Sequence, residues 1–165
     1  YRQNMEGSCD LLHAKVMKKQ MTMYWGVMLN NDIFSHPAIQ SVLSAKPELI
    51  PLQKIHSTIL FVGKKDTEEL RQLETLLQPF TNQVCDVIIS GFGFTDKALA
   101  LNVAKITYEG QLLPTFAPKK LHVTMALQKG VAAKDSVEVF FTEGATVIDF
   151  DEPIVLQGTV KRNLF

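Results

Sequence analysis

Residues 54–64 read KIHSTILFVGK, and residues 120–130 read KLHVTMALQKG. Each stretch sets a basic residue and an aliphatic one ahead of His-x-Thr and then continues apolar. Both have the length and apolar character of strands buried on at least one face. Strand side chains alternate between faces. His56, Thr58, Leu60 and Val62 therefore share one face, opposite Ile55, Ser57, Ile59 and Phe61. In the second stretch His122, Thr124 and Ala126 lie together, opposite Leu121, Val123 and Met125. Each strand thus offers an imidazole beside a hydroxyl, on a backbone whose other face is anchored in a core.

Around these two strands, the chain alternates apolar runs with turn chemistry. MYWGVML (23–29) reads as a strand, NNDIFSHP (30–37) as a turn, and PAIQSVLSA from Pro37 as a short helix with proline in its first turn. After the first frame, Asp66 with Glu69 makes a capping-box-like start. Leu70, Leu73, Leu76 and Leu77 supply the apolar stripe of a helix that Pro79 stops. Residues 84–92 and 98–106 form a hairpin, 121–127 another strand and 152–161 a closing strand, while KDSVEVFF suits either helix or strand. Ser8, Leu11, Leu12 and Val16 suggest a helix within the first twenty residues, and the terminal KRNLF reads as a frayed basic tail. With no linker or second core, the expectation is a single α+β domain over 1–165 with mostly antiparallel sheet.

Composition narrows the function. The chain has 165 residues, 46% of them hydrophobic and 21% charged, with a formal net charge of zero. Zero net charge argues against a long duplex footprint made of many phosphate contacts, but not against a nucleotide end held in a local pocket. Cys9 and Cys85 form no C-x-x-C and are too few for a disulfide scaffold, so a reducing, cytoplasmic or nuclear setting is expected. No window is apolar enough to span a membrane, so no membrane partner is expected. The opening YRQNMEG is read as the start of a domain excised from a longer protein, and a monomer is expected.

Two imidazoles and two hydroxyls collected in one cleft suit phosphodiester chemistry. A neutral histidine can take a proton from an attacking water, and a protonated one can give a proton to the departing ribose oxygen. Threonine hydroxyls can donate to non-bridging phosphate oxygens as charge builds there. The sequence has no H-x-x-x-H, H-E-x-x-H or acidic cluster to hold a metal, and no cofactor is expected. A lone strand histidine is more often a satisfied half-buried residue, but two matching frames shift the balance to function.

HSTI at 56–59 and HVTM at 122–125 resemble the paired H-x-[T/S]-hydrophobic motifs of the two-histidine (2H) phosphoesterase family. The resemblance runs from about Met21 to the C-terminus. It implies a bilobal α+β fold, with two mostly antiparallel sheets around a central cleft and flanking helices. It also implies metal-independent cleavage of 2′,3′-cyclic phosphates at RNA ends. His56 and His122 would form the acid–base pair and Thr58 and Thr124 the phosphate donors. Which histidine plays which part stays open, as does the oxygen that keeps the phosphate. The run looks most similar to the C-terminal cyclic phosphodiesterase domain of eukaryotic tRNA ligases. That similarity implies a 2′-phosphate product, a place in tRNA splicing or RNA repair, and covalently linked ligase and kinase domains. No G-x-x-x-x-G-K-[S/T] loop or ligase-type lysine motif occurs in this chain. A 2′–5′ oligoadenylate phosphodiesterase of the same family and a non-catalytic nucleotide-binding module are the alternatives. Ser57 departs from the family's usual apolar residue and by alternation points away from the cleft.

Further candidates surround the frames. Lys64 and Lys120 flank them and could meet RNA phosphates. Tyr24, Trp25, Phe92, Phe94 and Phe116 are candidate base-stacking surfaces, and only one of Tyr24 and Trp25 can face inward. His13 and His36 read as ordinary helix and turn histidines.

Overall fold

The two His-x-Thr stretches form adjacent strands of one antiparallel sheet. The computed structural model describes residues 21–165, so the helix expected within residues 1–20 lies outside the described residues. The strands are β1 (Thr22–Leu29), β2 (Leu49–Pro51), β3 (Ile55–Phe61), β4 (Val84–Phe94), β5 (Ala98–Tyr108), β6 (Gln111–Leu112), β7 (His122–Gln128) and β8 (Thr146–Leu164). The helices are α1 (Pro37–Ala45) and α2 (Glu68–Leu77), with 3-10 segments at Asp32–Ser35, Gln78–Phe80 and Ala133–Phe140. Six strands close into a ring in the order β7-β3-β1-β8-β4-β5, with β5 pairing back to β7. β2 adds to β7, β6 adds to β5, and every pairing is antiparallel.

The protein is thus α+β and rich in antiparallel sheet. The two sheets expected from the resemblance appear as one hydrogen-bonded network. Its thinnest seam is β3–β7, joined through the single residue pair Ser57↔Val123.

Alternation along the strands fills the ring. Trp25 and Val27 of β1, Ile55 and Ile59 of β3, Val87 and Ile89 of β4, Leu99 and Leu101 of β5, and Val123 and Met125 of β7 are all buried. Each such aliphatic side chain contributes roughly 1.5–3 kcal/mol on burial, so the inward faces fix where the outward faces point. Leu77 of α2 is fully buried, and Leu70 and Leu73 pack on the same core. Cys85 is also buried there, and burial pushes its thiol up to about 11, leaving it protonated and unreactive at neutral pH.

Local chemistry shifts several expected boundaries. The cap of α2 is Thr67, whose side chain accepts from the Leu70 N–H at 3.2 Å. Asp66 instead faces Arg71, with Oδ1 3.3 Å from Nε. His36 is more than a turn histidine: its Nδ1 accepts from the Ala38 N–H at 3.1 Å, capping α1 ahead of Pro37. The ambiguous KDSVEVFF lies largely within the 3-10 segment Ala133–Phe140. The closing strand is longer than 152–161, and KRNLF is no frayed tail. Lys161, Arg162 and Asn163 pair with Gly26, Trp25 and Tyr24 on β1. Cross-strand pairing there outweighs the polar composition that suggested a free end.

Candidate active site

The β3–β7 seam sets the two frames against each other. Ser57 and Val123 pair across it and are both fully buried. In an antiparallel ladder that register puts His56 across from Thr124 and Thr58 across from His122, on the opposite face from the core. The two histidines are then diagonal neighbours, roughly 7–8 Å apart and somewhat closer between Cβ atoms. Both imidazoles are half-buried. Burial pushes His56 below the ordinary imidazole range, and the nearby His122 pushes it the same way. His122 is also lowered by burial. The Lys120 carbonyl pulls it back up, and the Lys120 ammonium pushes it further down.

β7 and the chain before it hold the second frame through hydrogen bonds. His122 Nδ1 lies 3.0 Å from the Lys120 carbonyl oxygen. A carbonyl only accepts, so Nδ1 carries the proton and Nε2 is left for the cleft. Lys120 itself is half-buried, and burial lowers its ammonium pKa. Its Nζ contacts Asn102 Oδ1 and lies 5.1 Å from the centre of the Phe140 ring. Asn102 pairs with His122 across β5–β7, which places it on the site side of the sheet. Thr124 Oγ1 lies 2.5 Å from Ser136 Oγ and 3.3 Å from the Ala133 carbonyl oxygen, both on the 3-10 segment.

The first frame is held differently. The Tyr24 ring stacks on His56, with centroids 4.8 Å apart and planes 22° from parallel. Gly26 lies beneath this stack. A Cβ there would meet Tyr24 Cε2 at 3.1 Å and His56 Cδ2 at 3.3 Å, so glycine is what lets the rings close over β1. Burial raises the Tyr24 phenol pKa, keeping it protonated. Thr58 makes no side-chain hydrogen bond among the described residues.

The remaining candidates divide sharply. Tyr24 and Lys120 join the frames. Trp25 does not: it is 1% exposed, and its Nε1 donates to Glu74 Oε1 at 2.8 Å, so it cannot stack on a base. Phe92, also 1% exposed, packs against Phe94 and Phe150 in the core and is likewise closed to a ligand. Phe116 is half-buried against the core, its N–H donating to the Ile59 carbonyl at 2.6 Å. Lys64 follows the far end of β3, beyond Phe61, and its Nζ lies 5.7 Å from the Phe165 ring centre. The five steps from His56 to Phe61 span roughly 16 Å of strand, so Lys64 is not brought to the histidines.

Phe94 borders a separate groove of about 910 Å³ whose lining includes Lys97, Asp135, Glu138 and Glu143. Neither the histidines nor the frame threonines line it, and its acidic content suits an RNA phosphate poorly. Among the described residues, no group of three or more His, Cys, Asp or Glu could hold a metal ion, and no helix is long and apolar enough to cross a membrane.

Sequence reasoning missed Gly26, Asn102, Ser136 and Phe140. A glycine inside the apolar YWGVML run is a readable sign of close approach. The other three are assembled by pairing and packing that no local spacing reveals.

No family model and no curated protein sequence matches the chain. Among solved structures, the fold is similar to one titled "Crystal Structure of Fungal RNA Kinase", with a TM-score of 0.54 at 16% identity. The similarity covers 87% of this chain and 46% of that one, so the chain spans under half the length of the neighbour it resembles.

Proposed function

We propose that this chain is a 2H-type phosphodiesterase that opens 2′,3′-cyclic phosphates at RNA ends. The observation that carries the reading is the β3–β7 register, which sets each frame's histidine across from the other frame's threonine. In the reaction, a water oxygen forms a bond to phosphorus while the bond from phosphorus to the 3′ oxygen breaks. One histidine, neutral, accepts the water proton, and the other, protonated, delivers a proton to O3′. Thr58 and Thr124 donate to the non-bridging oxygens, and the Lys120 ammonium offsets the negative charge that builds there. The product carries a 2′-phosphate and a free 3′-hydroxyl. Tyr24 holds the His56 ring and leaves the base to be bound elsewhere.

This chemistry needs only imidazoles and hydroxyls, so we read the activity as metal-independent. The thin β3–β7 seam fits the boundary between the two lobes of a 2H fold. The fungal RNA kinase neighbour is consistent with a place in RNA processing, with this chain as one domain of a longer RNA-repair or tRNA-splicing protein.

The test is incubation with a short RNA ending in a 2′,3′-cyclic phosphate, in the presence of EDTA, followed by product analysis. A 2′-phosphate product supports the reading, and an untouched cyclic phosphate overturns it. Preferential cleavage of 2′–5′-linked oligoadenylate in a parallel reaction would reassign the substrate, and binding without turnover would make this a nucleotide-binding module.

A further inference from the structure

Ser136 lies on the 3-10 segment Ala133–Phe140, fully buried, with its hydroxyl 2.5 Å from that of Thr124. Among the described residues, Thr124 is the sole hydrogen-bonding partner of the Ser136 side chain. A hydroxyl has one proton to give and two lone pairs to receive. Thr124 has one proton and three claims on it: the Ala133 carbonyl, the Ser136 oxygen and any phosphate oxygen in the cleft. The carbonyl and the phosphate can only accept. When the Thr124 proton points at phosphate, the Thr124–Ser136 bond survives only if Ser136 donates.

We infer that Ser136 is a positioning residue for the phosphate site, donating its proton to Thr124 Oγ1 so that the Thr124 proton is turned toward a non-bridging phosphate oxygen. The inference rests on the cyclic-phosphate reading and deepens it. Two hydroxyls in series polarise each other, so the Thr124 proton becomes a stronger donor as charge grows on the phosphate. Burial keeps water from taking the place of Ser136 in the chain. Thr58 has no such relay, so the two non-bridging oxygens meet unequal donors.

The test is a double-mutant cycle on the cyclic-phosphate substrate, with wild type, Ser136→Ala, Thr124→Val and the double variant. Ser136→Ala is expected to lower kcat by about tenfold with KM changed less than about twofold, because the lost interaction belongs to the transition state. On the Thr124→Val background the same substitution is expected to cost nothing further. A second readout uses the two diastereomers of the cyclic phosphorothioate. Sulfur at the oxygen facing Thr124 slows the wild type, and that slowing shrinks in Ser136→Ala. Ser136→Cys, a weaker donor of similar size, should fall between serine and alanine, and thermal unfolding of each variant checks the fold.

An unchanged kcat in Ser136→Ala, or an equal loss on both backgrounds, overturns the inference while leaving the phosphodiesterase reading intact. A wild-type protein that leaves the cyclic phosphate untouched overturns both.

Discussion

In the second frame His122 donates its Nδ1 proton to the Lys120 carbonyl, and Thr124 shares a hydrogen bond with the buried Ser136. In the first, His56 is held by the face of Tyr24, and Thr58 makes no side-chain hydrogen bond among the described residues. Near-identical sequence is therefore supported in two physical ways. Hydrogen bonds fix the tautomer and direction of one half, whereas stacking fixes the plane of the other and leaves its protons free to move. A site that must hold one proton and release another gains from such unequal halves.

The largest effects should come from the histidines. His56→Ala and His122→Ala are each expected to lower kcat/KM by roughly 10²–10⁴-fold on the cyclic-phosphate RNA, the range of a lost general acid or base. Full activity in either variant breaks the pairing of the frames.

The threonines sharpen the contrast. Removing either hydroxyl with Thr→Val should cost roughly 10²–10³-fold, as for a lost donor to developing charge. Serine substitutions separate the two halves. Thr58 has only its β-branch to fix χ1, so Thr58→Ser should cost about tenfold through a freed rotor. Thr124→Ser should cost less, because Ser136 and the Ala133 carbonyl still orient the hydroxyl. Steady-state kinetics on the two serine variants decides the matter, and equal losses would mean that the hydrogen bonds to Thr124 orient nothing.

How much of this was legible in the sequence follows from the range of each interaction. Alternation along HSTIL and HVTMA placed imidazole and hydroxyl on one face because side-chain direction in a strand is a local property. The helix at Pro37 and the hairpin of β4 and β5 were legible for the same reason. The length of β8 was not. Residues 152–161 read as the closing strand, but it runs back to Thr146 and on to Leu164: 146–149 pair with β4 and 161–164 with β1, while 150–153 bulge between the pairs Gly91↔Asp149 and Ile89↔Ile154. Trp25 and Phe92 read either as core residues or as stacking surfaces, and tertiary packing decides for the core in both. Ser136 and Asn102 reach the site through packing and β5–β7 register, which are facts of tertiary structure.

The pH dependence tests whether the two imidazoles share an environment. Both are lowered by burial, so the kcat/KM bell, which needs one protonated and one neutral histidine, should peak below about pH 6.5. The Lys120 charge contributes to lowering His122. Lys120→Met should therefore move the bell toward higher pH as well as weaken binding. Stability follows from the same directions. A group with a depressed folded pKa binds more protons when unfolded, so stability is full above about pH 6.5 and falls as pH drops through the lowered folded values. Urea titrations across that window should show the loss, and His56→Ala should flatten part of it. A bell centred above pH 7 in the wild type would contradict the burial of the pair.

The smallest expected effect lies at the middle residue of each frame, where the two sequences differ. Ser57 and Val123 are paired across the seam and both face the core. Val123 is at home there, but among the described residues Ser57 Oγ is buried with no hydrogen-bond partner. An unmet buried hydroxyl costs on the order of 1–3 kcal/mol, and its removal leaves only a small gap. Ser57→Ala should therefore raise the unfolding free energy by about 1 kcal/mol, read as a higher urea midpoint at unchanged slope. Ser57→Val is expected to gain less, because added methyl groups crowd a filled core. Since the Ser57 side chain points away from the cleft, the alanine variant should keep the wild-type kcat. If the more stable protein instead lost turnover, the seam would be tuning the approach of the two frames, and the hydroxyl would be retained for spacing.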